Sequence, residues 1–202
     1  MKAPLLAAAA LAAAAGFSFL SVDPAAPAAG AAGEAAKYDI DNTHSTVIFR
    51  TGHMSVSKSY GRFNSLSGTI AYDEADPKAS SIAVSVKADS VDTNDKKRDE
   101  HLKSPDFLSV KEFPTLEFKS TKVEKKGEGL SVTGDLTLHG ITKPVTVDVA
   151  HVAKGKVMDK DAVGFEGHFE IDPKAYEIHY MNDEKMLGPG IQVIVSLEAY
   201  RQ

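Results

Sequence analysis

The 202-residue chain contains no cysteine and no tryptophan. The first absence excludes disulfides, thiol chemistry and a lipid-modified cysteine, so the fold has to stand on its apolar core alone. No tract is rich in acid, base or Gln/Asn, and no repeat of fixed period is visible. The net charge of -5 is spread along the chain, with lysines scattered among acids and no basic stripe carrying aromatics. That argues against nucleic acid as a partner. Gly-x-Ser-x-Gly, a Gly-rich phosphate loop and a paired-carboxylate motif are all missing, which leaves the common hydrolase and phosphate-binding chemistries without a footing. The seven histidines (His44, His53, His101, His139, His151, His168 and His179) show neither His-x-His nor His-x-x-x-His. The short spacing of zinc ligands is therefore absent, His139 and His168 fall in an outward strand phase, and no metal is expected.

What the chain does have is 43% apolar and 25% charged residues, the makeup of one ordinary globular domain. A different kind of segment precedes it. Lys2 leads into the uncharged run "APLLAAAALAAAAGFSFLSV" and then into "DPAAPAAGAAGEAAK", whose small residues suit an Ala-x-Ala cut. Residues 1–36 read as a signal peptide and Ala/Pro-rich linker, which predicts export to the periplasm or the medium. The alternative is an uncleaved anchor, because about 20 apolar residues span a bilayer. The domain proper is residues 37–202.

From Tyr38 onward a period-2 alternation is nearly continuous. "STVIFR" opens it and "GRFNSLSGTIAY" follows, after which Ile82, Val84, Val86 and Ala88 oppose Ser81, Ser85 and Lys87. Leu116 and Phe118 alternate with Glu117 and Lys119, and Leu130, Val132, Leu136 and Leu138 stay in phase. "GDLTLHGITKPVTVDV" reads as two strands joined by a turn at Gly140 to Lys143, with Val145, Val147 and Val149 on one face of the second. Phe165, Phe169 and Ile171, then Ile191, Val193, Val195 and Leu197, complete the pattern. About eight one-sided strands result, the signature of antiparallel sheet with one wet face. Helix is scarce. Residues 94–112 form an insert in which Asn94 caps a short helix and Ser104-Pro105 opens another. A second irregular stretch, 172–190, is suited to closing one end of the β-structure.

Eight such strands pack either as a sandwich or as a closed barrel. The strands are long and the inward residues modest in bulk, which favours a barrel with an elongated apolar cavity over a solid core.

The chain from about Tyr38 to Gln202 also resembles the YceI-like, polyisoprenoid-binding family of bacterial exported proteins. The residues that carry the resemblance are Asp41-x-x-His44-Ser45 with Phe49 and His53, Gly61-x-Phe63 with Gly68, and Ser90-Val91-Asp92-Thr93. Arg98-Asp99-Glu100-His101-Leu102 with Phe107, Phe113-Pro114 with Phe118, and the run Gly134 to Val145 complete the set. The resemblance implies an all-β fold, an extended eight-stranded antiparallel lipocalin-like barrel with a short helical insert. It implies further that the barrel holds an isoprenoid or other amphiphilic lipid, with no catalytic activity and no cofactor. Near its end the chain departs from the family pattern: Lys174-Ala175-Tyr176-Glu177 and Gly188-Pro189-Gly190 replace the usual segments, which bears on the shape of the mouth.

The residues assigned to the bore are Val47, Phe49, Phe63, Ile82, Val84 and Val86 from the first strands, Phe118, Leu136, Leu138 and Val147 from the middle, and Phe165, Phe169, Val193 and Val195 from the last. His53, Arg98 and His101 are the candidates for meeting a polar head, with an Arg98–Asp99 ion pair as the structural alternative for Arg98. Leu102, Phe107 and Phe113 read as a plug. Cargo is expected to be a polyprenyl chain, a quinone or a fatty amide, exchanged at a membrane only transiently, and a homodimer is compatible with the pattern. The competing class is an enzyme that uses the cavity, with His53 or His101 as general base beside Asp41 or Asp99.

Overall fold

The computed structural model describes residues 35–180, 184–188 and 190–202; residues 1–34 of the expected signal segment lie outside the described residues. Among the described residues, eleven strands form one antiparallel sheet: β1 (Ala36–Ile40), β2 (Thr46–His53), β3 (Ser57–Phe63), β4 (Leu66–Tyr72), β5 (Ser81–Lys87), β6 (Val91–Asp92), β7 (Thr115–Lys126), β8 (Gly129–Leu138), β9 (Ile141–Val157), β10 (Lys160–Ile171) and β11 (Ile191–Arg201). Helix α1 (Lys96–Lys103) lies between β6 and β7, and a single turn, α2 (Glu184–Leu187), precedes β11.

Eight of the strands close a ring in the order β1-β4-β5-β7-β8-β9-β10-β11, sealed by pairing of β1 with β11. The other three are continuations. β11 pairs with β1 through residues 199–201 and with β2 through residues 192–196, so β1 and β2 are one long strand broken at 41–45. β3 and β4 are likewise broken at Asn64-Ser65, and β5 and β6 at the 3-10 turn Ala88–Ser90. Closing the ring leaves no edge there to attract another chain, and the alternation sends one side chain in two toward the centre.

Two local expectations need correction. The β8–β9 turn is not four residues long: Leu138 pairs with Ile141, and His139 (φ 52°) and Gly140 (φ 74°) alone make the reversal. Two left-handed residues match the twist of the flanking strands, and His139 thereby leaves the outward phase, its ring packing on Phe113 while Nδ1 lies 3.0 Å from the Tyr176 carbonyl. In the insert, Asp95 and not Asn94 caps α1. Asn94 takes φ 63°, whereas Asp95 is extended and its side chain accepts from the Arg98 N–H at 3.0 Å, as an N-cap requires. Ser104 ends α1, and turns rather than a second helix follow it.

The core is continuous with the ring. At the end where β1 joins β4 and β11, Tyr38, Ile70, Val123, Val163 and Ala199 are at most 2% exposed, and the Tyr72 ring meets Phe165 edge-on at 5.3 Å. These side chains are buried together, and Tyr72 also borders a second, more polar recess of about 160 Å³ with Glu74, Pro77, Leu130 and Val152.

Candidate functional site

Above that floor the barrel is hollow. A cavity of about 210 Å³ runs from Phe165 and Leu197 toward the capping segments. An opening of roughly 10–15 Å³ admits one water, so this is no packing defect. Its walls are aliphatic and aromatic, with Glu117 at the margin, and the Glu117 carboxylate is engaged at 2.8 Å by the Ser85 hydroxyl.

The inward phase of six ring strands and of β2 and β3 supplies the wall. Val47, Phe49, Phe63, Ile82, Val84, Val86, Phe118, Leu136, Leu138, Val147, Phe165, Phe169, Val193 and Val195 all border the one cavity. Leu102 and Phe107 from the insert border it too, at the capped end, whereas Phe113 instead packs against His139 and Gly140 outside it. Sequence reasoning did not assign Ile178, Tyr180 and Leu187 to the bore, although they close its upper end. They sit in the irregular 172–190 stretch, where no period exists to reveal them. Pro173 and Tyr176 anchor that stretch: both are buried, and Tyr176 packs with Leu136, Leu138 and Ile178. Burial pushes the Tyr176 phenol above its ordinary pKa. Tyr180 borders the cavity yet is 40% exposed, which locates the mouth.

None of the three proposed polar contacts borders the bore. His53 continues the inward phase only in number. One step earlier Thr51 Oγ1 donates to the Leu187 carbonyl at 2.9 Å, and Gly52 lies so close under Leu187 that a Cβ there would meet its oxygen at 2.7 Å. α2 therefore seals β2 before His53 is reached, and His53 is exposed. Arg98 forms neither a rim contact nor the alternative ion pair with Asp99. Its guanidinium donates to Thr93 Oγ1 (2.8 Å) and the Thr93 carbonyl (2.7 Å), while Asp99 Oδ1 accepts from the Thr93 N–H (2.8 Å) and hydroxyl (2.6 Å). Both clamp the buried Thr93 and fix the root of α1. His101 stands one layer behind the mouth, its Nε2 3.0 Å from Asp106 Oδ2 and its ring edge-on to Phe107 (5.1 Å) and Tyr180 (4.8 Å). The acid-base pairings considered for an enzyme are not formed: Asp41 engages His44 and Asp99 engages Thr93.

On the outer wall, at the break between β1 and β2, Asp41, His44 and Glu198 have donor atoms within 4.8 Å of one another. These groups are satisfied by the fold itself. Asp41 Oδ2 meets His44 Nδ1 at 2.5 Å and its other oxygen accepts from the Thr43 N–H at 2.9 Å; Tyr200 donates to Glu198 at 2.5 Å. The Thr43 N–H and then the His44 ring hold Asp41 below the usual carboxylate range, Asp41 raises His44, and the Glu198 carboxylate pushes the Tyr200 phenol up to about 12. The cluster latches the broken strand to β11.

A closed eight-stranded antiparallel barrel around an apolar bore is the lipocalin-like fold. Residues 38–199 match the YceI-like domain, and the chain belongs to that family. Protein YceI of Salmonella newport (strain SL254) is 40% identical over 173 residues, covering 83% of this chain and 88% of that protein. Among solved structures, Burkholderia cenocepacia BcnA superposes with a TM-score of 0.72 at 23% identity, over 79% of this chain and 98% of its own. A polyisoprenoid-binding domain from Saccharophagus degradans, implicated in plant cell wall breakdown, superposes at 0.61 with 15% identity, over 83% and 99%.

Proposed function

We propose that the protein is an exported, non-enzymatic carrier that takes one apolar lipid chain, polyprenyl, quinone tail or fatty amide, into the bore tail first. The single observation behind this reading is the blind, almost wholly apolar cavity. A chain that loses about 200–300 Å² of apolar surface there gains about 5–8 kcal/mol at about 25 cal/mol per Å², before the costs of association. A buried polar head would find few partners on these walls and would forfeit its hydration, so the head stays at the mouth beside Tyr180. The polyisoprenoid-binding description of the Saccharophagus degradans domain agrees with this cargo class. Exchange takes place at a membrane during a transient encounter.

Native mass spectrometry of the gently purified protein tests it. The expected result is a co-purified lipid released by organic solvent, or uptake of an added polyprenol by emptied protein. Protein that is recovered empty and takes up neither polyprenol nor quinone analogue overturns the carrier reading.

A further inference from the structure

Three glycines, Gly61, Gly134 and Gly167, occupy inward positions of the wall, where every neighbour in phase carries a side chain. None of the three has a left-handed φ. Conformational freedom is therefore not their purpose, and the space a Cβ would fill is. A Cβ on Gly61 would lie 2.8 Å from both Cε atoms of Phe49 and closer still to Cζ, and the atoms it approaches most closely belong to that ring. Gly61 is the cross-strand partner of Phe49, so the far end of the ring sits over the glycine. Phe118, diagonal to Gly134, also approaches its open side at 2.6 and 2.7 Å from the corresponding Cβ, but there the Lys119 carbonyl is nearer still at 2.5 Å, so backbone as well as ring excludes a side chain. Had position 61 carried a side chain, the Phe49 ring would stand off the wall, into the hollow.

We infer that the Phe49–Gly61 seat sets the width of the bore, and that Gly61 is a specificity-determining residue that admits methyl-branched chains. The inference rests on the carrier reading and adds its cross-section to it. An added methyl at position 61 lifts the Phe49 ring by about one methyl thickness, because the ring already occupies that space and the hollow is the side on which it can yield. A straight chain still passes the narrowed point, and a chain with a methyl on every fourth carbon does not.

The test compares geranylgeraniol with octadecanol, which share a primary hydroxyl and differ in branching, by displacement of a fluorescent fatty probe. Wild type is expected to bind both. Gly61→Ala is expected to weaken geranylgeraniol about tenfold relative to octadecanol, the scale on which an apolar pocket discriminates a methylene, with an unchanged circular dichroism spectrum. Phe49→Leu added to Gly61→Ala is expected to restore the wild-type ratio, since it removes the ring that was displaced. A folded Gly61→Ala protein with the wild-type ratio, or a double variant that fails to recover it, overturns the inference. Should Gly61→Ala not fold, Phe49→Leu alone decides: it must shift the ratio toward geranylgeraniol, and an unchanged ratio overturns the inference. Wild type that binds neither alcohol sinks the carrier reading instead.

Discussion

The two ends of this barrel are built from the same alternation and end in opposite states. At the floor, Tyr38, Ile70, Val123, Val163 and Ala199 are at most 2% exposed within one buried cluster; above Phe165, residues of the same types leave 210 Å³ unfilled. Hydrophobicity does not separate them. At the floor the Tyr72 and Phe165 rings pack edge-on, whereas in the upper half the end of the Phe49 ring occupies the space that a side chain at Gly61 would take. At Phe49 the glycine across the strand pair leaves room for the ring beside the wall, and that local seat, not hydrophobicity, is what differs from the floor.

The sharpest way to break this contrast is to place the same charge at both levels. Val163→Asp puts a carboxylate in a site 1% exposed with no partner, a burial that costs several kcal/mol or more, and no cooperatively folded protein is expected by circular dichroism. Ile191→Asp puts it at the opposite end of β11, half-buried and bordering the hollow on the side that meets solvent at Tyr180. There the carboxylate keeps water, the protein folds, and chain uptake is lost. If both variants fold equally well, floor and bore do not differ as described.

A milder pair sharpens it. Ile70 and Ile82 are direct partners across β4 and β5, yet Ile70 belongs to the floor and is 1% exposed while Ile82 borders the bore at 7%. Ile70→Ala opens a new cavity in solid packing and should cost about 3–5 kcal/mol in urea unfolding; Ile82→Ala only enlarges an existing one and should cost about 2 kcal/mol or less. Equal losses would mean that the bore closes up in solution.

Much of this was legible in the strands. Val84, Val86, Leu136, Leu138, Val193 and Val195 alternate strictly, and a period of 2 fixes which side of a closed sheet a residue faces, so the wall could be assigned residue by residue. The solid floor was not legible. Ile70 and Ile82 carry the same signal, and the difference arises from rings contributed by distant strands. Polar assignments failed where periodicity stops: His53 lies one step past the point where Leu187 caps β2, and Arg98 answers to Thr93 five residues back. Ile178, Tyr180 and Leu187 reach the bore through turns whose geometry rests on long-range packing around Tyr176, which no local pattern encodes.

The smallest expected effect falls on the joint between the two levels. The Asp41–His44–Glu198 latch lies on the outer wall where β1, which serves the floor, gives way to β2, which serves the bore. Asp41 is held below its ordinary pKa, so its contribution is present above the usual carboxylate range and is lost as pH falls through the lowered value. His44 is raised, so its contribution is full below its ordinary value near 6.5 and is lost as pH rises through the raised one. Both partners are charged together between about pH 4 and 6.5. Tyr200, pushed up to about 12, stays neutral throughout and does not confuse the reading at pH 9. His44 is well exposed and screened by water, and His44→Ala is expected to lower the melting temperature by about 1–2 °C at pH 5.5 and by nothing measurable at pH 9. Chain uptake should be unchanged at either pH, because the latch touches neither the floor's packing nor the rings that hold the bore open. A loss of uptake at pH 5.5 alone would show that the joint transmits to the bore, and that the two ends are not the independent halves their packing describes.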